Sequence, residues 1–358
     1  MKELYNNLID SLNMRGGTYP AYKNDECYAL LEEIFTPEQA EMYIKIPLAP
    51  AKAEQIADEV GKSLDETTAI LEKMADHGLI ITRDRPEGRI YAGIPLVPGI
   101  FEFQLTRGGE TERDYKMARL FEDYLQKMKT MPAEESALPS FPFARVIPVE
   151  EEIKTGKIEV YPYEVLSEYI DKAEHIAVAT CYCRHHAKLL GDVCDKPMEV
   201  CMSFGPAGKF VADRGFGRLL SKEEAKEILD LSEREGLIHC SSNTTEYVDF
   251  ICNCCDCHCG IVQSLKEQVR NLGGASNFMV QVNEDNCSAC EVCIDRCPMD
   301  AFEMKDDAAH VDPDLCVGCG LCVSTCDDDA LSMINRPDRV TPPRTRGALM
   351  TEIISSMH

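Results

Sequence analysis

Nineteen cysteines dominate the chemistry open to this chain, and eighteen of them lie between Cys181 and Cys326. Thiols clustered at short spacing in this way read as metal ligands rather than as a disulfide framework. Two runs are regular. CSACEVCIDRCP supplies Cys287, Cys290, Cys293 and Cys297, and CVGCGLCVSTCD supplies Cys316, Cys319, Cys322 and Cys326. Each has the spacing C-x2-C-x2-C-x3-C. Two-residue steps let three thiolates from one tight loop reach three irons of a cubane, while the fourth cysteine opens a segment leading away and ligates the other cluster. The expected ligand sets are therefore Cys287, Cys290, Cys293 and Cys326 for one [4Fe–4S] cluster, and Cys316, Cys319, Cys322 and Cys297 for the second. Structural zinc would instead pair two short Cys/His knuckles across a longer gap.

The two runs form an internal repeat that extends beyond the cysteines, since CPMDAFEM is mirrored by CDDDALSM. In this the segment resembles the bacterial 2[4Fe–4S] ferredoxins. That resemblance implies a pseudo-twofold ferredoxin-like domain that passes single electrons. Asp327 stands where the family usually has proline, a change expected to alter solvent access near one cluster without preventing assembly.

Two further thiol groups lack this spacing. CYCRHHAKLLGDVCDKPMEVC contains Cys181, Cys183, Cys194 and Cys201, with His185 and His186 between them. CNCCDCHC contains Cys252, Cys254, Cys255, Cys257 and Cys259, with His258 embedded. These nine thiols suit one further cluster drawing on both loops, a cluster in each loop, or zinc and reactive thiols. The histidines read as hydrogen-bonding side chains rather than ligands, able to tune a cluster from outside its ligand set. Cys27 and Cys240 read as small buried hydrophobes. The pair Cys254–Cys255 is similar to the double-cysteine motif of heterodisulfide reductase subunits, but Asp256 follows where those continue with glycine. The blocks CYCRHH, GFGRLLSKEEA and ICNCC resemble a segment of multi-cluster iron–sulfur proteins of anaerobes. There the segment sits between a winged-helix-like start and a ferredoxin end, which implies a place in an oxidoreductase complex.

The elements that must position these groups follow from periodicity and capping. Residues 1–103 read as a winged-helix-like domain. Thr36 caps a helix with Pro37 at its first position and Gln39 three residues on, and Ser63 with Glu66 opens another. LIITRDRPEGRIYAG then reads as two strands around a turn. Residues 104–160 read as a linker containing one amphipathic helix, 161–279 as a cysteine-rich α/β domain, 280–335 as the ferredoxin-like domain and 336–358 as an extended tail. The fold class expected is a multi-domain α+β chain.

A formal charge of −25 argues against nucleic acid as the main partner. Residues 1–90 carry 10 Lys/Arg against 17 Asp/Glu, and the helix of 64–76 has Asp65, Glu66, Glu72 and Asp76 against Lys73 alone. DNA recognition needs cations there, so a protein-docking module is favoured over a redox-sensing regulator, although Arg83, Arg85 and Arg89 lie on the wing. No secretory leader and no membrane-spanning run is read, so a cytoplasmic protein is expected. No dinucleotide or Walker fingerprint is found. The reading is thus an electron-transfer subunit working at potentials well below zero with a redox partner protein, and alternatively a reductase with a catalytic cluster in the central domain. Arg336, Arg339, Arg344 and Arg346 are expected to grip an acidic partner.

Overall fold

A computed structural model describes residues 2–357 except 132–137, 155–157, 247 and 268–271. The N-terminal part is built from helices Lys2–Asn13, Asp25–Ile34, Pro37–Lys45, Ala53–Val60 and Leu64–Asp76, with strands Ala51–Lys52, Ile80–Arg85 and Gly88–Gly93. The strands form one antiparallel sheet with 88–93 in the centre. The helix starts are fixed by side chains that occupy otherwise unpaired backbone donors. Asn24 accepts from Cys27 N, Thr36 from Gln39 N and Ser63 from Glu66 N, and Gln39 returns a bond to Thr36 N. Removing such a cap costs about 1 kcal/mol.

Helices Ile100–Leu105 and Glu112–Thr130 complete this core rather than spanning a gap. Phe101 and Phe121 pack with ring centroids 4.1 Å apart, and Tyr124 Oη donates to Pro20 O at 2.8 Å. The acidic helix 64–76 is occupied within the chain. Arg214, from the central part, donates to Glu72 Oε2 and Asp76 Oδ1, each at 2.7 Å, and Arg107 reaches Asp76 O at 2.6 Å. Burial pushes the Glu72 carboxyl up, but bonds from Tyr91, Arg214 and Arg89 outweigh it and hold the group below its usual range. A depressed carboxylate stabilises above the unfolded glutamate value, about pH 4.3, and loses that contribution as pH falls through the lower folded value. Arg214→Met is therefore expected to weaken docking of residues 2–105 by about 1 kcal/mol at neutral pH, solvent screening the partly exposed acids, and its difference from the native chain should shrink in acid. Proteolysis rates measured against pH check both.

The central part is a seven-stranded sheet in the order Gly273–Gly274, Ala144–Val146, Ile238–Ser242, Phe250–Cys254, Glu199–Phe204, Ile176–Thr180 and Gly217–Leu220. Its pairs are antiparallel except the first. Helices Tyr182–Leu189, Gly205–Asp213, Lys222–Arg234 and Gly260–Lys266 pack on it. The linker expected at 104–160 is corrected here, for Ala144–Val146 is a fully buried strand of this sheet. The strand is only Ala-Arg-Val, with its charged residue buried, and three residues in a segment closed by Pro142 and Pro148 are too few to register a period.

The C-terminal part has two antiparallel pairs, Phe278–Val282 with Leu331–Asn335 and Phe302–Lys305 with Ala308–Val311. The extended tail is also corrected: Arg346–Ser355 is a helix capped by Thr345, with Leu349 and Ile353 buried. Its arginines are held by this chain. Arg336 donates to Cys316 O and to Ser276 O, Arg339 pairs with Glu159 at 2.8 Å, Arg344 pairs with Glu246, and Arg346 lies 3.5 Å from Asp249. Carbonyls and acids already in the fold thus engage arginines that the sequence reading assigned to a partner. No described helix is long and apolar enough to cross a membrane.

Candidate metal centres

Both regular cysteine runs fold into loops that repeat one another in backbone conformation. The second and fourth residues after each first cysteine are left-handed: Ala289 and Glu291 at φ 59° and 63°, Gly318 and Gly320 at φ 67° and 81°. The third residue after each last cysteine is left-handed as well, Asp300 at 53° and Asp329 at 49°. Such reversals turn successive thiols toward a common centre, and the repeat implements them with ordinary residues once and glycine once. Cys293 lies beside Cys287 and Cys290, while Cys297 has crossed to the second loop, beside Cys316, Cys319 and Cys322. On the other side Ser288 donates to Asp328, drawing the segment after Cys326 onto the first loop. Backbone N–H groups already point at sulfur, from Ala301 to Cys297 Sγ and from Ala309 to Cys287 Sγ, each at 3.4 Å. N–H bonds to sulfur are among the levers that set a cluster's potential.

Burial raises the Cys319 thiol to about 12 and the Cys322 thiol well above its ordinary range. An unliganded thiolate is costly at such positions, whereas metal coordination removes the proton outright. The two loops differ in exposure. Cys290 is exposed, while Cys316 and Cys322 are buried. The first loop faces solvent and the second faces the central sheet, where Val149 N donates to Cys319 O at 2.9 Å.

The irregular cysteines are gathered by the sheet. Cys252 and Cys254 share one face of strand Phe250–Cys254, as the two-residue period requires. Cys252 is in register with Cys240, and Cys201 with Ala179 at the end of the strand that leads into Cys181. Cys181 and Cys259 sit at the start of helices Tyr182–Leu189 and Gly260–Lys266. The result is a closed ring of six neighbouring thiols, in the order Cys181, Cys183, Cys259, Cys254, Cys252, Cys201 and back to Cys181. Contacts with Cys183 and Cys201, aided by the charge and backbone N–H of Arg184, draw Cys181 well below the usual thiol range. The same contacts with Cys181 raise Cys183 and Cys201 well above it.

Two residues of this centre escape the motifs. Cys240, read as a lone buried hydrophobe, is buried but touches Cys254 and neighbours Cys319, so it stands between the ring and the second loop. Its signal is weak, one cysteine in the strand IHCSS. Arg184 has no exposed surface, lies beside Cys181 and Cys201, and bonds Cys255. It also donates to Pro197 O at 2.6 Å and Asn253 O at 3.2 Å. An arginine inside a cysteine motif, followed by two histidines, was the available hint. His185 and His186 instead bond outward, to Leu105 O at 2.8 Å and Ala118 O at 2.9 Å. Cys194, Cys255 and Cys257 fall outside the ring; Cys257 lies 3.4 Å from Cys194 and touches Cys255.

Residues 279–327 match the family model of a 4Fe-4S dicluster domain. No curated protein matches the chain. The C-terminal part is thus a ferredoxin-like iron–sulfur domain, and the chain is an iron–sulfur protein of electron transfer.

Proposed function

We propose that the chain is a multi-cluster electron carrier serving an oxidoreductase system, with two cubanes in the C-terminal loops and a third held by four of the six ring thiols. The ligands of the C-terminal pair are Cys287, Cys290, Cys293 and Cys326 for the outer cluster, and Cys297, Cys316, Cys319 and Cys322 for the inner. When bound, such clusters supply one-electron transfer. The observation that carries the reading is a shared apolar core. Cys254, Cys259, Cys316 and Cys322 are buried in it together, with Cys183, Cys252 and Cys319 packed against it and Cys240 between the two groups. The protein thereby excludes water along a line from the exposed first loop to the ring. Acidic residues Glu284, Asp285, Glu291 and Asp295 are exposed around the first loop, so the redox partner that docks there would present a basic face.

The N-terminal part fits a winged-helix arrangement used for protein contact. Its 64–76 helix is engaged by Arg214, and its wing arginine Arg89 is engaged by Glu72 and Asp84. Those pairings disfavour the DNA-binding regulator. One observation favours a second reading, in which the ring also reduces a small substrate. A cavity of about 1420 Å³ reaches Cys183, Cys201 and Cys252 and is lined by Tyr182 and Glu102, whose carboxyl burial pushes up to about 7. Turnover of a substrate by the isolated chain with reduced viologen would establish that activity.

A potentiometric titration followed by electron paramagnetic resonance tests the carrier reading. Three reducible centres with midpoints well below zero, with signals broadened by mutual interaction, are expected. Only two reducible centres would remove the third cluster, and midpoints above zero would remove the low-potential role.

A further inference from the structure

Among the described residues, Cys194, Cys257 and His258 are the compact group whose ligand atoms all lie within 4.8 Å of one another. The ring thiols and the C-terminal cysteines form no such group, although they too are near neighbours. The difference has a simple geometric meaning. Four ligands around one tetrahedral ion with metal–sulfur bonds of 2.3 Å put two thiolates about 3.8 Å apart. A cubane places each thiolate on a different iron and spreads them further. The Cys194–Cys257 separation of 3.4 Å therefore suits a single ion and is short for two cubane ligands.

The surrounding chain holds this trio in place and keeps it distinct from the ring. Cys194 and Cys255 belong to or border the apolar core that contains Val200, Met202 and Ile251, whereas Cys254 and Cys259 belong to the core shared with the C-terminal part. Consecutive residues Cys254 and Cys255 thus separate the two thiol groups, as alternation at a strand end requires. Gln263 donates to Asp256 O and, at 3.3 Å, to Cys257 O, which fixes the loop. His258 is mostly buried, with its Nδ1 3.8 Å from Asp192 Oδ2. That carboxylate stands near the imidazole, where partners of metal-bound histidines are found. Cys255 is buried and neighbours Cys257, so a candidate fourth donor stands close to the trio, outside the 4.8 Å group itself.

We infer that Cys194, Cys257 and His258, with Cys255 as the fourth donor, form a mononuclear site for a zinc-class divalent ion, separate from every iron–sulfur cluster of the chain. Two or three thiolates with one imidazole match the borderline-soft character of zinc. The site ties the 190–195 loop to the 255–259 loop beside the cavity mouth, where Cys257 and His258 are also wall residues. The inference goes beyond the electron-carrier reading and does not depend on it, because it requires no iron.

The test uses the full chain purified without oxygen. Zinc, iron and acid-labile sulfide are measured together, and zinc-edge X-ray absorption reads the ligands of zinc despite the iron present. One zinc per chain is expected, with sulfur at about 2.3 Å and nitrogen at about 2.0 Å. Cys194→Ser combined with Cys257→Ser, and His258→Gln separately, are each expected to lower zinc occupancy about tenfold or more at limiting zinc, with iron and sulfide unchanged. Three results would overturn the site. A native chain that holds no zinc and takes up none from added zinc chloride would do so. So would loss of iron and sulfide from the variants in place of zinc, which would make these thiols cluster ligands. A Cys194–Cys257 disulfide in the anaerobic protein, found by peptide mapping, would also do so.

Discussion

Arg184→Met is expected to remove the iron held in the central part, about four atoms per chain for a cubane, and to leave the C-terminal iron in place. Arg184 heads the fully buried large side chains among the described residues. Burial disfavours its charge, but the neighbouring Cys181 and Cys201 and the bond to Cys255 more than offset this, so the guanidinium stays ionised. Its planar fork reaches two carbonyls, Pro197 O and Asn253 O, from opposite sides of the site. Methionine fills much of the same volume but leaves the thiolates without their buried cation and two carbonyls without a donor. Breaking a buried charge network in this way costs about 3–5 kcal/mol. Lysine keeps the charge and loses the fork, so Arg184→Lys should retain part of the central iron. Iron and sulfide analysis with a thermal melt of each variant checks the series. Full iron in the methionine variant would show that Arg184 does not support the ring.

Gly318→Ala is expected to disable the inner C-terminal loop, while Gly320→Ala, two residues on, should be tolerated. Both glycines are left-handed, so alanine at either incurs about 1–2 kcal/mol of backbone strain. Only Gly318 is also enclosed. A Cβ there would lie 2.0 Å from Phe278 O and 2.3 Å from Ser276 Oγ, whereas at Gly320 the nearest atoms, on Val149, stand at 3.5 Å. Phe278 is the first residue of a strand and Ser276 donates to Gly318 O at 2.7 Å, so neither can retreat without breaking the pairing of 278–282 with 331–335. Loss of about half the C-terminal iron is expected for Gly318→Ala. Equal iron retention by the two variants would contradict this account of the loop.

The C-terminal repeat was legible because its chemistry is local. Four thiols in eleven residues specify a loop before any tertiary contact is known. The caps at Thr36 and Ser63 were legible for the same reason, since each acts on a backbone group three residues away. The central site was not legible in this way. Its ring joins Cys181 and Cys201 to Cys252, Cys254 and Cys259 through the pairing of strands far apart in sequence, and spacing within one loop says nothing of which strand lies beside which. Cys240 shows this most plainly: alone in sequence, it is brought into register with Cys252 by the strand pair 238–242 and 250–254. The arginines of residues 336–346 looked free for a partner because charge composition does not reveal acids such as Glu159, Glu246 and Asp249 folded against them.

Iron and acid-labile sulfide per chain, on protein purified without oxygen, test the central claim most directly. Three cubanes predict about twelve of each, with the excess over the C-terminal pair lost on replacing Cys252 and Cys254 by serine. About eight of each, unchanged by those replacements, would confine the clusters to the C-terminal domain and contradict the account of the ring.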